Sequence, residues 1–85
     1  FSMKDSKNKN TLPYASEKYY YTGTTNEYFT CGEQYTVIET GQHWYKEYGQ
    51  GAWLTTDEDP ESKDVDYCCF VPYSEFGKHK NFVKY

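Results

Sequence analysis

The sequence predicts a small all-β domain of antiparallel strands, and three observations lead to this prediction. Residues 34–40 combine β-branched side chains with tyrosine, a composition that is typical of strands. Glycines divide the chain at short intervals, as in folds whose short strands are joined by tight turns. No segment repeats apolar residues every 3.6 positions over ten residues, so we expect no long helix.

Five or six strands are expected along the chain. Each is rich in β-branched or aromatic residues, and together they cover residues 18–22, 34–40, 43–48, 52–56, 65–71 and 81–85. The pair Gly32-Glu33 is the expected turn before the second strand, and Gly41-Gln42 the expected turn after it. Five successive apolar residues end the run 65–71, which predicts a strand covered on both faces. Residues 72–76 are expected to form a single 3₁₀ turn.

With 85 residues and a mass of 10.1 kDa, the chain is expected to form one domain over residues 13–85. Residues 1–12 are polar and lack periodicity, so they predict a flexible or extended N-terminal arm. Met3 is the expected native start, which makes Phe1 and Ser2 residues of an expression vector. The most β-like runs supply the expected core, which consists of Tyr35, Val37, Ile38, Leu54, Phe70, Val71 and Phe76.

The apolar part of the sequence is unusual because aliphatic residues are scarce and aromatic residues make up 21% of the chain. Eleven tyrosines, five phenylalanines and two tryptophans exceed what so small a core can enclose. Some of these rings are therefore expected on the surface, either scattered singly or gathered in a binding patch. The candidates for that patch are Tyr19, Tyr21, Trp44, Tyr45, Tyr48, Trp53 and Tyr73.

The charge balance and the cysteines indicate the setting of the protein. A net charge of −4 disfavours a non-specific surface for phosphate groups. No apolar run approaches 18 residues and no signal peptide is visible, so we expect no membrane span and a location in the bacterial cytoplasm. Three cysteines (Cys31, Cys68 and Cys69) are an odd number, which favours reduced, buried thiols, although a disulfide from Cys31 to one of the others stays geometrically open.

Groups for catalysis or metal binding are few. His43 and His79 are expected to be solvated, because neither forms a zinc-ligand pair with a cysteine at the usual spacing. The acidic loop 57–64 lacks the glycine and the terminal glutamate of a calcium loop. No nucleophile is followed by an evident base and orienting group, and no glycine-rich phosphate loop occurs. We therefore expect neither an enzyme nor a cofactor.

Several short motifs resemble the frame of an SH3-like barrel over about residues 19–83. They are Gly32-Glu33, Tyr35-x-Val37-Ile38-Glu39, Trp44-Tyr45, and Val71-Pro72 followed by Phe76. The chain is also similar to small uncharacterised proteins of phages and Gram-positive bacteria. The resemblance implies a small antiparallel barrel with Trp44, Pro72 and Tyr73 near the face where such domains hold peptides. A longer insertion between Trp44 and Pro72, and Lys18-Tyr19-Tyr20-Tyr21 in place of the usual first strand, argue against a proline-peptide groove.

These observations predict a non-enzymatic protein-binding module. The resemblance implies an inhibitor or adaptor, encoded by a phage or mobile element, that docks on a bacterial host protein. The expected binding residues are aromatic, proline or acidic, namely Trp44, Tyr45, Tyr48, Pro72, Tyr73, Asp57, Glu58 and Asp59. In one version of this function, the carboxylates between Asp57 and Asp66 imitate the phosphates of a nucleic acid. This version requires them to line one face.

A small barrel that binds single-stranded nucleic acid is the alternative function. Exposed aromatic rings suit the stacking of unpaired bases. The lysines that would contact the phosphates lie near the two ends of the chain, at Lys4, Lys7, Lys9, Lys78, Lys80 and Lys84. The net negative charge makes nucleic acid the less favoured partner.

Overall fold

The computed structural model describes residues 12–84, which contain one five-stranded antiparallel sheet. Its strands are β1 (Lys18–Tyr21), β2 (Gln34–Gln42), β3 (Gln50–Leu54), β4 (Cys69–Pro72) and β5 (Phe82–Lys84), in the spatial order β4-β3-β2-β1-β5. The described part of the chain contains no α-helix, only short 3₁₀ turns. The prediction of an all-β, antiparallel domain of five or six strands is therefore confirmed, with five strands observed. The predicted N-terminal arm lies outside the described residues except for Leu12.

Strand β2 curls the sheet because it pairs with a different neighbour along each half. Its first residues pair with β1, and the stretch from Val37 onward pairs with β3. The pairing register shifts between Val37 and Glu39, which marks a β-bulge where the strand bends. At the far ends of the sheet, Phe76 bridges to Phe82 of β5, and the Gly77 N–H donates to the Phe82 carbonyl at 2.9 Å. The result is a curled half-barrel.

Aromatic rings fill most of the core on the concave face of the half-barrel. The buried cluster consists of Tyr19, Tyr21, Phe29, Tyr35, Val37, Ala52, Leu54, Val71, Phe76 and Phe82. Phe29 is central, with ring centroids 5.2 Å from Tyr21, 4.9 Å from Tyr35 and 5.1 Å from Phe82. Edge-to-face and tilted contacts of this kind stabilise aromatic pairs beyond the area that they bury.

The core prediction is correct for five of its seven residues, and one physical reason explains the other two. Successive side chains of a strand point to opposite faces of the sheet. Val37 and Val71 face the core, so their neighbours Ile38 and Phe70 point away from it and are half-buried. Apolar character alone did not distinguish the two faces of these strands.

Two predicted strands differ from the observed elements. Residues 43–48 form a loop with a 3₁₀ turn at Lys46–Tyr48, while Gly41 and Gln42 belong to β2. Gly49 has a φ of 71°, which favours glycine, and the His43 N–H donates to the Gly49 carbonyl at 2.9 Å to close the loop. The run 65–71 begins with a 3₁₀ turn at Val65–Tyr67 before β4 starts. The turn predicted at 72–76 is confirmed at Tyr73–Glu75.

Candidate binding surface

The face of the sheet opposite the core carries a pair of large aromatic residues. Trp53 of β3 lies directly across from Phe70 of β4, and their ring centroids are 4.9 Å apart at an angle of 62°. Trp53 is buried although it does not belong to the core cluster. Strands β3 and β4 are thus covered on both faces, as the apolar run in 65–71 predicted.

Glycine at position 51 makes room for the Phe70 ring. Gly51 pairs with Pro72 on β4, and a Cβ atom at this position would lie 2.9 Å from the Phe70 Cζ and also collide with the Val71 carbonyl. Any side chain here would push the ring or the neighbouring strand away. The absence of a side chain on β3 therefore lets Phe70 lie across the strand and support what covers it.

His43 packs on top of this pair and is buried, which corrects the prediction that it is solvated. Its ring centroid is 4.7 Å from Phe70 and 6.1 Å from Trp53. The backbone N–H of Tyr45 donates to His43 Nδ1 at 2.8 Å. The loop that follows β2 folds back over the sheet, because the His43 ring packs against the sheet and the hydrogen bond fixes the loop around that ring.

Three large rings of the same loop stand in solvent above this support. Trp44, Tyr45 and Tyr48 have exposed fractions of 62%, 57% and 54%. Trp44 stacks on Trp53 at a centroid distance of 5.8 Å, and Tyr48 meets His43 edge-on at 4.7 Å. Tyr45 and Tyr48 also contact each other, at 5.9 Å. We call the six residues His43, Trp44, Tyr45, Tyr48, Trp53 and Phe70 the aromatic platform.

The other aromatic candidates occupy different places. Pro72 is exposed on β4, two residues after Phe70, and therefore on the same face of the strand. Tyr73 is half-buried in the 3₁₀ turn after β4 and has no ring contact with another described residue. Tyr19 and Tyr21 belong to the core, so their prediction as patch residues is wrong. Both lie on β1 with alternate side chains pointing inward.

Asp57 makes hydrogen bonds within the chain and does not stand free in a loop. Its carboxylate accepts from the Tyr35 hydroxyl and from the Thr30 hydroxyl, each at 2.7 Å. Its own N–H donates to the Tyr28 carbonyl at 2.9 Å. Burial and the hydrogen bond to Asp57 raise the pKa of Tyr35. Asp57 therefore joins the chain after β3 to the segment before β2.

Glu58 and Asp59 instead line a groove of about 370 Å³ beside β4. We call this the acidic groove. Aromatic and carboxylate side chains both line it, namely Tyr28, Glu58, Asp59, Asp66, Tyr67 and Phe70. Phe70 belongs to both the acidic groove and the aromatic platform, so the two surfaces adjoin.

The carboxylates between Asp57 and Asp66 do not form a single row. Asp57 is bonded to Thr30 and Tyr35, whereas Glu61 lines a separate cavity that also contains Lys18 and Lys63. The acidic groove gathers three of them, Glu58, Asp59 and Asp66. Nucleic-acid mimicry requires a row of phosphate-like charges along one face. The observed arrangement does not form such a row.

The cysteines are free thiols, and their predicted burial is wrong for Cys31, which is exposed. Cys68 and Cys69 are half-buried beside the acidic groove. Burial raises the pKa of both thiols, and the nearby charges of Asp64 and Asp59 raise that of Cys68 further. Both thiols are therefore poor nucleophiles at neutral pH.

No three His, Cys, Asp or Glu side chains of residues 12–84 come together as ligands for a metal ion. No helix in the described range is long and apolar enough to cross a membrane. Comparison with protein-family models, curated proteins and solved structures finds no match.

The residues that support the platform were not predictable from the sequence patterns, which indicate a solvated side chain for His43 and a core position for Phe70. The available signal was the presence of apolar residues at successive positions of both β3 and β4, which indicates strands covered on two faces. Nothing in the sequence indicates that the loop 43–49 provides the second cover.

Proposed function

We propose that this chain is a non-enzymatic protein-binding module whose contact surface is the aromatic platform. The observation that carries the proposal is that three exposed rings, those of Trp44, Tyr45 and Tyr48, rest on buried rings. Tyrosine and tryptophan are the typical anchors of protein interfaces. A platform held in place before binding loses less conformational entropy when the partner docks.

The proposed nature of the partner rests on the sequence resemblance. We propose an SH3-like domain of phage or mobile-element origin that acts in the cytoplasm as an inhibitor or adaptor of a bacterial host protein. The strand order and the 3₁₀ turn between β4 and β5 support the SH3-like part of this proposal. The aromatic platform supports the binding role, and Pro72 extends it on the same face of β4.

Charge favours a protein partner over single-stranded nucleic acid. Glu58, Asp59 and Asp66 line the groove that adjoins the platform at Phe70. A strand stacked on the platform would bring its phosphates toward these carboxylates, and like charges repel. Titration with a fluorescent oligothymidine at low and high salt tests the alternative. We do not expect binding to the oligothymidine that weakens steeply as the salt concentration rises.

The decisive experiment compares two tyrosines that are equally exposed. Tyr48 and Tyr14 each have an exposed fraction of 54%, but only Tyr48 belongs to the platform. The parent protein is used to capture and identify a partner from a Gram-positive lysate. The affinity of the purified partner is then measured for Tyr48→Ala, Trp44→Ala and the control Tyr14→Ala.

Truncation of a central aromatic anchor typically costs about 2–4 kcal/mol of binding free energy, or roughly 30- to 1000-fold in affinity. We expect losses of this size for Trp44→Ala and Tyr48→Ala and parental affinity for Tyr14→Ala. The melting temperatures of all three should stay close to that of the parent, since exposed side chains contribute little to stability. Parental affinity in both platform variants would refute the proposal.

A further inference from the structure

The acidic groove combines a concave shape, aromatic walls and carboxylates without a cationic partner. Tyr67 and Tyr28 are exposed by 61% and 41%. The side chains of Glu58, Asp59 and Asp66 make no ion pair or hydrogen bond within the described part of the chain. The only ion pair there joins Lys84 to Glu17, far along the sequence from the groove.

We infer that the acidic groove receives an arginine side chain of the protein partner. The inference rests on the proposed function, because it names the chemistry of a second contact beside the platform. A guanidinium group is planar, stacks on aromatic rings and donates in a fork to carboxylates. The groove offers both kinds of surface at once, with rings from Tyr28, Tyr67 and Phe70.

Size and charge agree with this occupant. Sites that hold small organic groups span about 300–1,000 Å³, and the groove of about 370 Å³ lies at the lower end of that range. Burial, and then the negative charges of Asp64 and Asp59, raise the pKa of Cys68 in its wall. A positively charged group is stabilised beside unpaired carboxylates. An anionic group such as a phosphate would be repelled.

An arginine side chain fits the lining of the acidic groove better than the other cations do. A metal ion would need convergent ligands, and no such cluster exists among residues 12–84. A lysine ammonium is a compact point charge that needs the carboxylates but makes little use of flat rings. The groove also adjoins the platform at Phe70, so one partner surface can contact both.

The test is a titration of the ¹⁵N-labelled protein with the capped peptide Ac-Gly-Ser-Arg-Ser-Gly-NH₂. Chemical shifts of residues 66–70 are followed by NMR. The peptide in which citrulline replaces arginine keeps the planar shape of the side chain but lacks its charge. The peptide in which lysine replaces arginine keeps the charge but lacks the planar guanidinium group. We expect saturable shifts with the arginine peptide, an affinity at least tenfold weaker for citrulline, and an intermediate affinity for lysine.

Matched variants separate the groove from general electrostatics. The triple variant Glu58→Gln, Asp59→Asn, Asp66→Asn neutralises the groove, and Glu27→Gln, Glu33→Gln, Glu61→Gln removes the same charge elsewhere. We expect at least a tenfold loss for the first and less than a twofold loss for the second. Tyr67→Ala should weaken binding about threefold. If the groove variant does not fold, Glu58→Gln against Glu27→Gln makes the same comparison with one charge.

Equal affinity for the arginine and citrulline peptides, or equal losses in the two triple variants, would overturn the inference. The Trp44→Ala protein serves to separate this result from the proposed function. It should bind the arginine peptide as the parent does. If the peptide fails to bind while Trp44→Ala abolishes partner binding, only the groove inference fails. If the peptide binds while Trp44→Ala leaves partner binding unchanged, only the platform proposal fails.

Discussion

The backbone N–H of Tyr45 donates a hydrogen bond to Nδ1 of His43 at 2.8 Å. Because Nδ1 accepts, the neutral imidazole carries its proton on Nε2. The bond joins an exposed residue of the platform to a buried one. The bond fixes the turn of the loop around the His43 ring, and that ring packs against Trp53 and Phe70 of the sheet.

His43→Ala should therefore destabilise both the fold and the platform. The change leaves the Tyr45 N–H without its acceptor and removes the ring between Phe70 and the loop, at an expected cost of about 1–3 kcal/mol. Tryptophan emission should shift to longer wavelength as Trp53 becomes hydrated. His43→Asn, whose amide oxygen can accept the same hydrogen bond, should recover part of the loss. Chemical denaturation of the two variants measures the difference, and identical curves for His43→Ala and the parent would contradict this role.

Phe76→Ala and Ile38→Ala should differ in their cost to stability. Phe76 is buried against Tyr19 and Phe82, at centroid distances of 5.0 and 5.2 Å, so its truncation should cost about 3–5 kcal/mol. Ile38 is half-buried and points away from the core cluster, and the same truncation there should cost about 1 kcal/mol. Urea unfolding of both variants gives the two free energies. Equal losses would mean that Ile38 contributes to the core after all.

Neutralising neighbouring acidic residues should have unequal effects. Asp57→Ala removes the acceptor of the Tyr35 and Thr30 hydroxyls and should cost about 1–3 kcal/mol of unfolding free energy. Glu58→Gln should change stability by less than about 0.5 kcal/mol, because its side chain is exposed and makes no hydrogen bond with a described residue. Thermal melting at pH 7 compares them. A stable Asp57→Ala protein would show that this carboxylate does not hold the loop.

Acid should remove one interaction at the edge of the sheet. Burial alone would raise the pKa of Glu17, but the hydrogen bonds from Lys84, the Tyr14 N–H and the Tyr19 hydroxyl, together with the Lys84 charge, lower it from 4.5. The folded state then binds its proton less readily than the unfolded state. The stabilisation is complete above pH 4.5 and is lost as the pH falls through the lower pKa of the folded state.

Melting temperatures measured between pH 7 and pH 2.5 test this sign. Glu17→Gln should lose stability at pH 7 and show a flatter acid limb than the parent. Glu33→Gln is the control, since Glu33 is exposed and its side chain has no partner among the described residues. An acid limb of parental steepness in Glu17→Gln would contradict the assignment.

The strand content, the antiparallel pairing and the last 3₁₀ turn were predictable from local patterns. The strand at 34–40 and the turn after Pro72 depend on the conformational preferences of their own residues. Such preferences act over only a few positions of the chain. Half of the ten residues in the core cluster were also predicted, whereas the other half, namely Tyr19, Tyr21, Phe29, Ala52 and Phe82, were not. The exposure of Trp44, Tyr45 and Tyr48 agrees with the inferred excess of aromatic rings.

The assembly of the candidate site was decided by the tertiary structure. Which face of β3 and β4 becomes the core depends on how the bulge in β2 curls the sheet, and local preferences do not encode that direction. The burial of His43 depends on a loop that returns across Trp53 and Phe70. The acidic groove joins Tyr28 to Asp66, 38 positions away. By itself the sequence determined that surplus aromatic rings must reach the surface; long-range packing decided which rings support the others, and where the carboxylates meet them.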